Sequence, residues 1–224
     1  MYYIPTYDRG FEPKVVKTLI MINVAMFIVR LADSEVLWSL GLIPNRIIHG
    51  EALYTLVTHM FLHYDLIHIF MNMYALFIFG PECEQVFGHK KFIALYFISG
   101  LTGAGLHILL TPRGDIPAVG ASGAIFGVMA AYATLYPHRR LGVFFFVGFI
   151  ILPAWALLFF FAFLELIYFL TAVLDSIAHT AHLGGMIGGF LFAWFHKKAH
   201  PKPRPLEEHI IVVYHGFEEE YDYW

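Results

Sequence analysis

The sequence predicts an all-α, polytopic membrane protein folded as a bundle of six transmembrane helices. Three observations carry the prediction. Of 224 residues, 59% are hydrophobic and 14% charged, with 23 Phe, whereas soluble domains carry about a quarter charged residues. Apolar runs recur at lengths near those needed to cross a bilayer. The basic residues sort to alternate loops, as the excess of Lys and Arg in cytoplasmic loops requires.

Span one is expected over about 15–31, starting near Thr18 without the small-x-small exit of a cleaved signal, and is read as retained. A polar–apolar mixture, 32–63, leads to spans two to four at about 64–80, 91–110 and 120–136. The fifth is expected over about 142–169 with a kink at Pro153, and the sixth over about 176–195. This divides the chain into an N-terminal segment 1–14, a six-span domain 15–195 and a tail 196–224 whose prolines argue against further helix. The N-terminal stretch carries Arg9, Lys14 and Lys17, and Lys90 and Lys91 follow span two. Arg139 and Arg140 follow span four, and Lys197, Lys198, Lys202 and Arg204 follow span six. Arg46 and Arg113 fall on the opposite side, with Arg30 at the rim of span one. Both termini are therefore expected in the cytoplasm, with spans two, four and six running inward from the outer face.

That orientation places three polar residues at one depth. Fourteen residues separate Ser122 from Tyr136, thirteen His182 from Phe195, and twelve His68 from Gly80. At 1.5 Å per residue these are roughly 21, 20 and 18 Å. In a hydrocarbon core about 30 Å thick, all three lie roughly 10 Å beneath the outer surface. Polar groups at that depth face a protein interior or a water cavity. Small residues four apart bring helices close: Gly123 and Gly127 in span four, Gly184 and Gly188, and Gly185 and Gly189 in span six. If these faces meet, Ser122 and His182 come within hydrogen-bond reach, and a neutral imidazole there can take the serine proton. Glycine zippers with incidental polar residues are the alternative.

"HYDLIHIFMN" puts His68 and Asn72 four apart on one face, where both can donate to a developing oxyanion. The Ser122 amide, at the start of span four, is a third donor. His63, five before His68, is expected to point elsewhere, in a structural or water-positioning role. His59 with His63, and His179 with His182, have spacings that could ligate zinc, but no HExxH or other closed ligand set is present, and no metal is expected. The lone Cys83 excludes an intrachain disulfide. Neither a cofactor nor a nucleic-acid partner is expected. Histidines at 107, 138, 196, 200, 209 and 215 read as interface or tail residues.

These motifs resemble those of the rhomboid intramembrane serine proteases. "GASGAIFG" resembles the family's GxSG motif, "HYDLIHIFMN" its second-span histidine–asparagine motif, and "AHLGGMIGG" its sixth-span histidine segment. They occur in family order, over roughly 15–195. The resemblance implies a Ser–His dyad with Ser122 as nucleophile and His182 as base. It also implies oxyanion stabilisation by His68, Asn72 and the Ser122 amide, with Gly120, Gly123, Phe126, Gly127, Gly185, Gly189 and His63 in support. It further implies the prokaryotic six-span form, in a plasma membrane. Two places depart from the family: Tyr54-Thr55 stand where many members have Trp-Arg, and Phe126 where many have a tyrosine stacked on the histidine. His182 is preferred to His179 as base because Gly185 and Gly189 follow at the family's spacing.

Asp175 lies about two turns before His182 and nearer the surface, so a dyad without an acid, and slow turnover, are expected. Glu165 is expected to snorkel to the interface from the outer end of span five, or to serve gating or recognition. The loop "TAVLDSIA" at 171–178 is a candidate lid, and span five, rich in Phe, a candidate gate or ordinary lipid-facing bulk. The partners expected are the bilayer and transmembrane protein substrates with weak helix formers near the outer end of a span; the family adds a small residue before the cut. Two alternatives are a catalytically inactive rhomboid-like protein that binds membrane clients, and a small transporter, although neither inverted repeats nor broken helices stand out.

Overall fold

A computed structural model describes residues 10–145, 148–171 and 178–199. The long helices are α1 (Lys14–Ala32), α5 (Leu66–Leu110), α6 (Ser122–Leu135), α7 (Ala154–Thr171) and α8 (His179–Ala199). α5 is two helices, broken at Gly88, whose φ of 74° and ψ of 162° leave the helical region. Counting its halves separately, the described residues hold six long helical segments. The tail beyond Ala199 and residues 172–177 of the candidate lid, Asp175 among them, lie outside the described residues.

Two expected boundaries fail. Span two does not end at Gly80: the helix runs through Pro81 to the break at Gly88, a tolerance for proline common in membrane helices. Span five does not begin at 142 with a kink at Pro153. Arg140–Phe145 (β1) and Gly148–Pro153 (β2) form an antiparallel hairpin, with Arg140 opposite Pro153 and Gly142 opposite Ile151. Hydropathy alone does not separate a short apolar strand from a buried helix, and a run rich in Val, Ile and Phe suits a strand. Proline closes the hairpin because it lacks the N–H that a continuing ladder needs. α7 then starts with its first amides already partnered: Ala154 N donates to Arg139 O at 2.8 Å and Trp155 N to Pro137 O at 3.1 Å.

α5, α6 and α8 form the centre, with α1 against α5, and α7 against α8 and α6. Tyr96, Phe92, Leu95, Leu76 and Val128 are fully buried there. Backbone approaches backbone in the way the glycine spacing predicts. A side chain at Gly185 would overlap the Gly123 carbonyl, and one at Gly189 the Gly127 carbonyl. Gly184 and Gly188 instead face Thr102, Gly103 and Ser99 of α5. The outer surface is apolar: Met21, Ile28 and Leu31 of α1 and Phe159, Phe163 and Leu170 of α7 are exposed, and α1, α5 and α7 are long and apolar enough to cross a membrane.

The 32–63 region folds into α2 (Val36–Leu40), α3 (Pro44–Ile48), α4 (Thr55–Thr58) and a 3-10 turn, His59–Phe61. It grips the segment leading into Ser122. Leu42 and Ala118 exchange backbone hydrogen bonds at 2.9 and 2.8 Å, and Gly120 N donates to His59 O at 3.0 Å. The Tyr64 hydroxyl donates to Pro117 O at 2.6 Å. At the opposite end of the bundle the buried Glu84 of α5 accepts from Val15 N and Val16 N, each at 2.9 Å, and so caps α1.

Candidate active site

Ser122 is the first residue of α6. Its N–H therefore has no carbonyl one turn earlier within the helix. Gly120, two residues before, has φ of 135°, which a side chain would strain. It also lies where a side chain would meet His68 Nε2 at 2.9 Å and Ser122 Oγ at 3.3 Å. Both polar groups thus border one small space that only glycine leaves open. His182 Nε2 lies 2.7 Å from Ser122 Oγ. Phe126, one turn after the serine, stacks on the His182 ring with centroids 4.5 Å apart at 29°. The meeting of α6 and α8 along their glycines is what brings this pair together.

His68 is fixed by the start of α5. Asp65 accepts from His68 N at 2.8 Å, capping the helix. Tyr64 N donates to His68 Nδ1 at 3.4 Å, which leaves Nε2 as the ring's protonated nitrogen, turned towards Gly120 and Ser122. Asn72 is buried one turn on, and its Nδ2 donates back to His68 O at 2.9 Å. His63 departs from expectation. It precedes the helix, so helical spacing does not govern it. Its buried ring meets His68 edge-on, with centroids 4.9 Å apart, and neither of its nitrogens has a hydrogen-bond partner among the described residues. Burial pushes the His63 imidazole down to about 3 and that of His59 to about 4, so both are neutral at physiological pH.

The expectation that no carboxylate reaches His182 is overturned. Glu165 does not snorkel: its side chain is 12% exposed, and Oε1 lies 3.0 Å from His182 Nδ1. Oε2 lies 2.5 Å from His179 Nδ1, and His179 stacks against Tyr168 with centroids 5.2 Å apart at 20°. The signal was in the spacing. With α7 ending at Thr171, Glu165 is six residues from that end, roughly 9 Å along the helix axis, close to the depth expected for Ser122 and His182. Leu157, Phe161, Glu165 and Tyr168 recur at helical spacing. Leu157 is buried, Phe161 contacts Phe126, and Tyr168 contacts His179. The ligand atoms of Glu165, His179 and His182 lie within 4.8 Å of one another, so the same three groups could also hold a cation. His59 directs Nδ1 to Thr55 O at 2.7 Å instead.

A family model described as "Rhomboid domain" matches residues 50–199. The chain is 29% identical to Rhomboid protein 1, mitochondrial, of Saccharomyces cerevisiae over 216 residues, 89% of this chain and 58% of that protein. It is 32% identical to RHOMBOID-like protein 6, mitochondrial, of Arabidopsis thaliana over 166 residues, 70% of this chain and 48% of that one. With Rhomboid protease GluP of Bacillus subtilis it shares 29% identity over 163 residues, 72% of this chain and 29% of that protein. The chain spans about half the length of the curated relatives it matches. Since the matched domain takes in every residue of the Ser122–His182 constellation and its helices pack as an apolar-surfaced bundle, the chain belongs to the rhomboid family.

Proposed function

We propose that this chain is an intramembrane serine endopeptidase that hydrolyses peptide bonds of membrane-protein substrates near the outer face of the bilayer. The 2.7 Å approach of His182 Nε2 to Ser122 Oγ carries the reading. Ser122 Oγ attacks the scissile carbonyl carbon while His182 Nε2 takes its proton. The carbonyl electron pair moves to oxygen, which the Ser122 N–H, His68 Nε2–H and Asn72 amide stabilise. His182 then returns the proton to the leaving amine nitrogen as the C–N bond breaks. Water, activated by His182 in turn, hydrolyses the acyl-enzyme. The printed name of the Bacillus subtilis relative, a rhomboid protease, supports the same activity.

The polar site has to open to water, because the bilayer core has none to supply. The sorting of Lys and Arg supports placing both termini in the cytoplasm and the site towards the outer face. A prokaryotic plasma membrane fits the six-segment form. Labelling with a serine-directed fluorophosphonate tests the activity. The wild-type chain should label and cleave a transmembrane reporter, and Ser122→Ala should do neither. A folded wild-type chain that neither labels nor cleaves would favour the inactive, client-binding alternative.

A further inference from the structure

We propose that Glu165 is a positioning residue for His182, itself held in place by His179, so that the site works as a serine–histidine–glutamate relay. The proposal rests on the reading of Ser122 and His182 given above and deepens it.

A carboxylate only accepts hydrogen bonds, and each Glu165 oxygen faces one imidazole nitrogen: Oε1 at 3.0 Å from His182 Nδ1 and Oε2 at 2.5 Å from His179 Nδ1. Both rings must therefore present Nδ1–H. For His182 this leaves Nε2 unprotonated where it meets Ser122 Oγ at 2.7 Å, the one tautomer able to accept the hydroxyl proton. His182 Nδ1 has no aligned hydrogen-bond partner, so in the resting site its 3.0 Å approach to Oε1 is a contact of a neutral ring with the carboxylate, not yet a formed hydrogen bond. Such contacts tighten along the reaction. When Nε2 takes the serine proton, the ring becomes an imidazolium, and the adjacent carboxylate stabilises the positive charge that develops. Glu165 stays ionised throughout and exchanges no proton. His179 occupies the second oxygen and, braced by Tyr168, keeps the carboxylate from turning away.

A cation held by the same three groups predicts the reverse. Metal on Nδ1 leaves a neutral imidazole protonated at Nε2, which donates to Ser122 and cannot act as its base. The relay needs no metal in the active protein.

The test uses the full chain in liposomes with a membrane-anchored reporter. Glu165→Gln should lower kcat about a hundred-fold or more, by analogy with loss of the acid in soluble serine proteases, with KM and unfolding temperature little changed. Glutamine supplies one acceptor where two N–H groups need two, so one histidine is forced into the other tautomer. Glu165→Asp should restore most of the rate. Adding His179→Phe to Glu165→Gln should recover part of it, because the amide oxygen is then free for His182; a merely structural role predicts no such recovery. Should Glu165→Gln fail to fold, His179→Phe alone decides, with a lower kcat at unchanged KM expected and an unchanged kcat fatal to the relay. Wild-type kcat in folded Glu165→Gln, or one equivalent of metal in active protein, would overturn the relay and leave the proposed function standing if Ser122→Ala abolishes labelling. Turnover by Ser122→Ala would remove both.

Discussion

A methyl group at Gly185 meets the carbonyl of Gly123, and neither partner can rotate aside because the obstacle is backbone. Gly185→Ala is therefore expected to cost about 3 kcal/mol, the upper end for overpacking, seen as a lower unfolding temperature in detergent. Gly105, within α5, has nothing within 4 Å of an added methyl. Gly105→Ala should instead stabilise by about 0.5–1 kcal/mol, the helix-propensity difference. Equal unfolding temperatures for the two variants would contradict the close α6–α8 contact. Residues at this scale differed in legibility for a physical reason. The approach of Ser122 to His182 was legible because glycine spacing is written along single helices. Glu165 could not be placed while its helix was assigned the wrong limits, since depth is counted from an end. His63 misled in another way: periodicity was applied to a residue that precedes the helix. The depth of His68, too, was counted from Gly80, although its helix runs on to Gly88; the space beside Gly120, rather than that count, ties it to Ser122.

Between elements, Gly88 separates two spans with a single residue. Its φ of 74° and ψ of 162° belong to a region that is essentially glycine's own. No neighbour lies within 4 Å of an added methyl. Gly88→Ala thus isolates backbone strain from crowding, and a loss of about 1–3 kcal/mol in denaturant titration is expected. A neutral substitution would mean that the break tolerates other conformations. Hydropathy found the helices but misjudged their punctuation. Span two was ended at Gly80, whereas the helix continues through Pro81 and the break belongs to Gly88. The apolar stretch before Pro153 read as helix because strand and buried helix share composition, and only the pairing of Arg140 with Pro153 distinguishes them.

For the molecule as a whole, the proposed orientation rests on charge and can be read out chemically. The single cysteine, Cys83, is buried, so introduced cysteines report without background. Ile116 is 69% exposed in the connection before α6, and Lys90 is exposed at the opposite end of the bundle. In intact cells a membrane-impermeant maleimide should label Ile116→Cys and spare Lys90→Cys until the membrane is permeabilised. The opposite pattern would invert the proposed topology. The assembly also has two kinds of joint. α6 and α8 touch main chain to main chain, a joint without slack. α7 meets them through side chains, Phe161 on Phe126 and Glu165 on two histidines. Any outward swing of α7 would withdraw Glu165 while Ser122 and His182 stay clasped, so a door opened on that wall also disengages the latch behind His182.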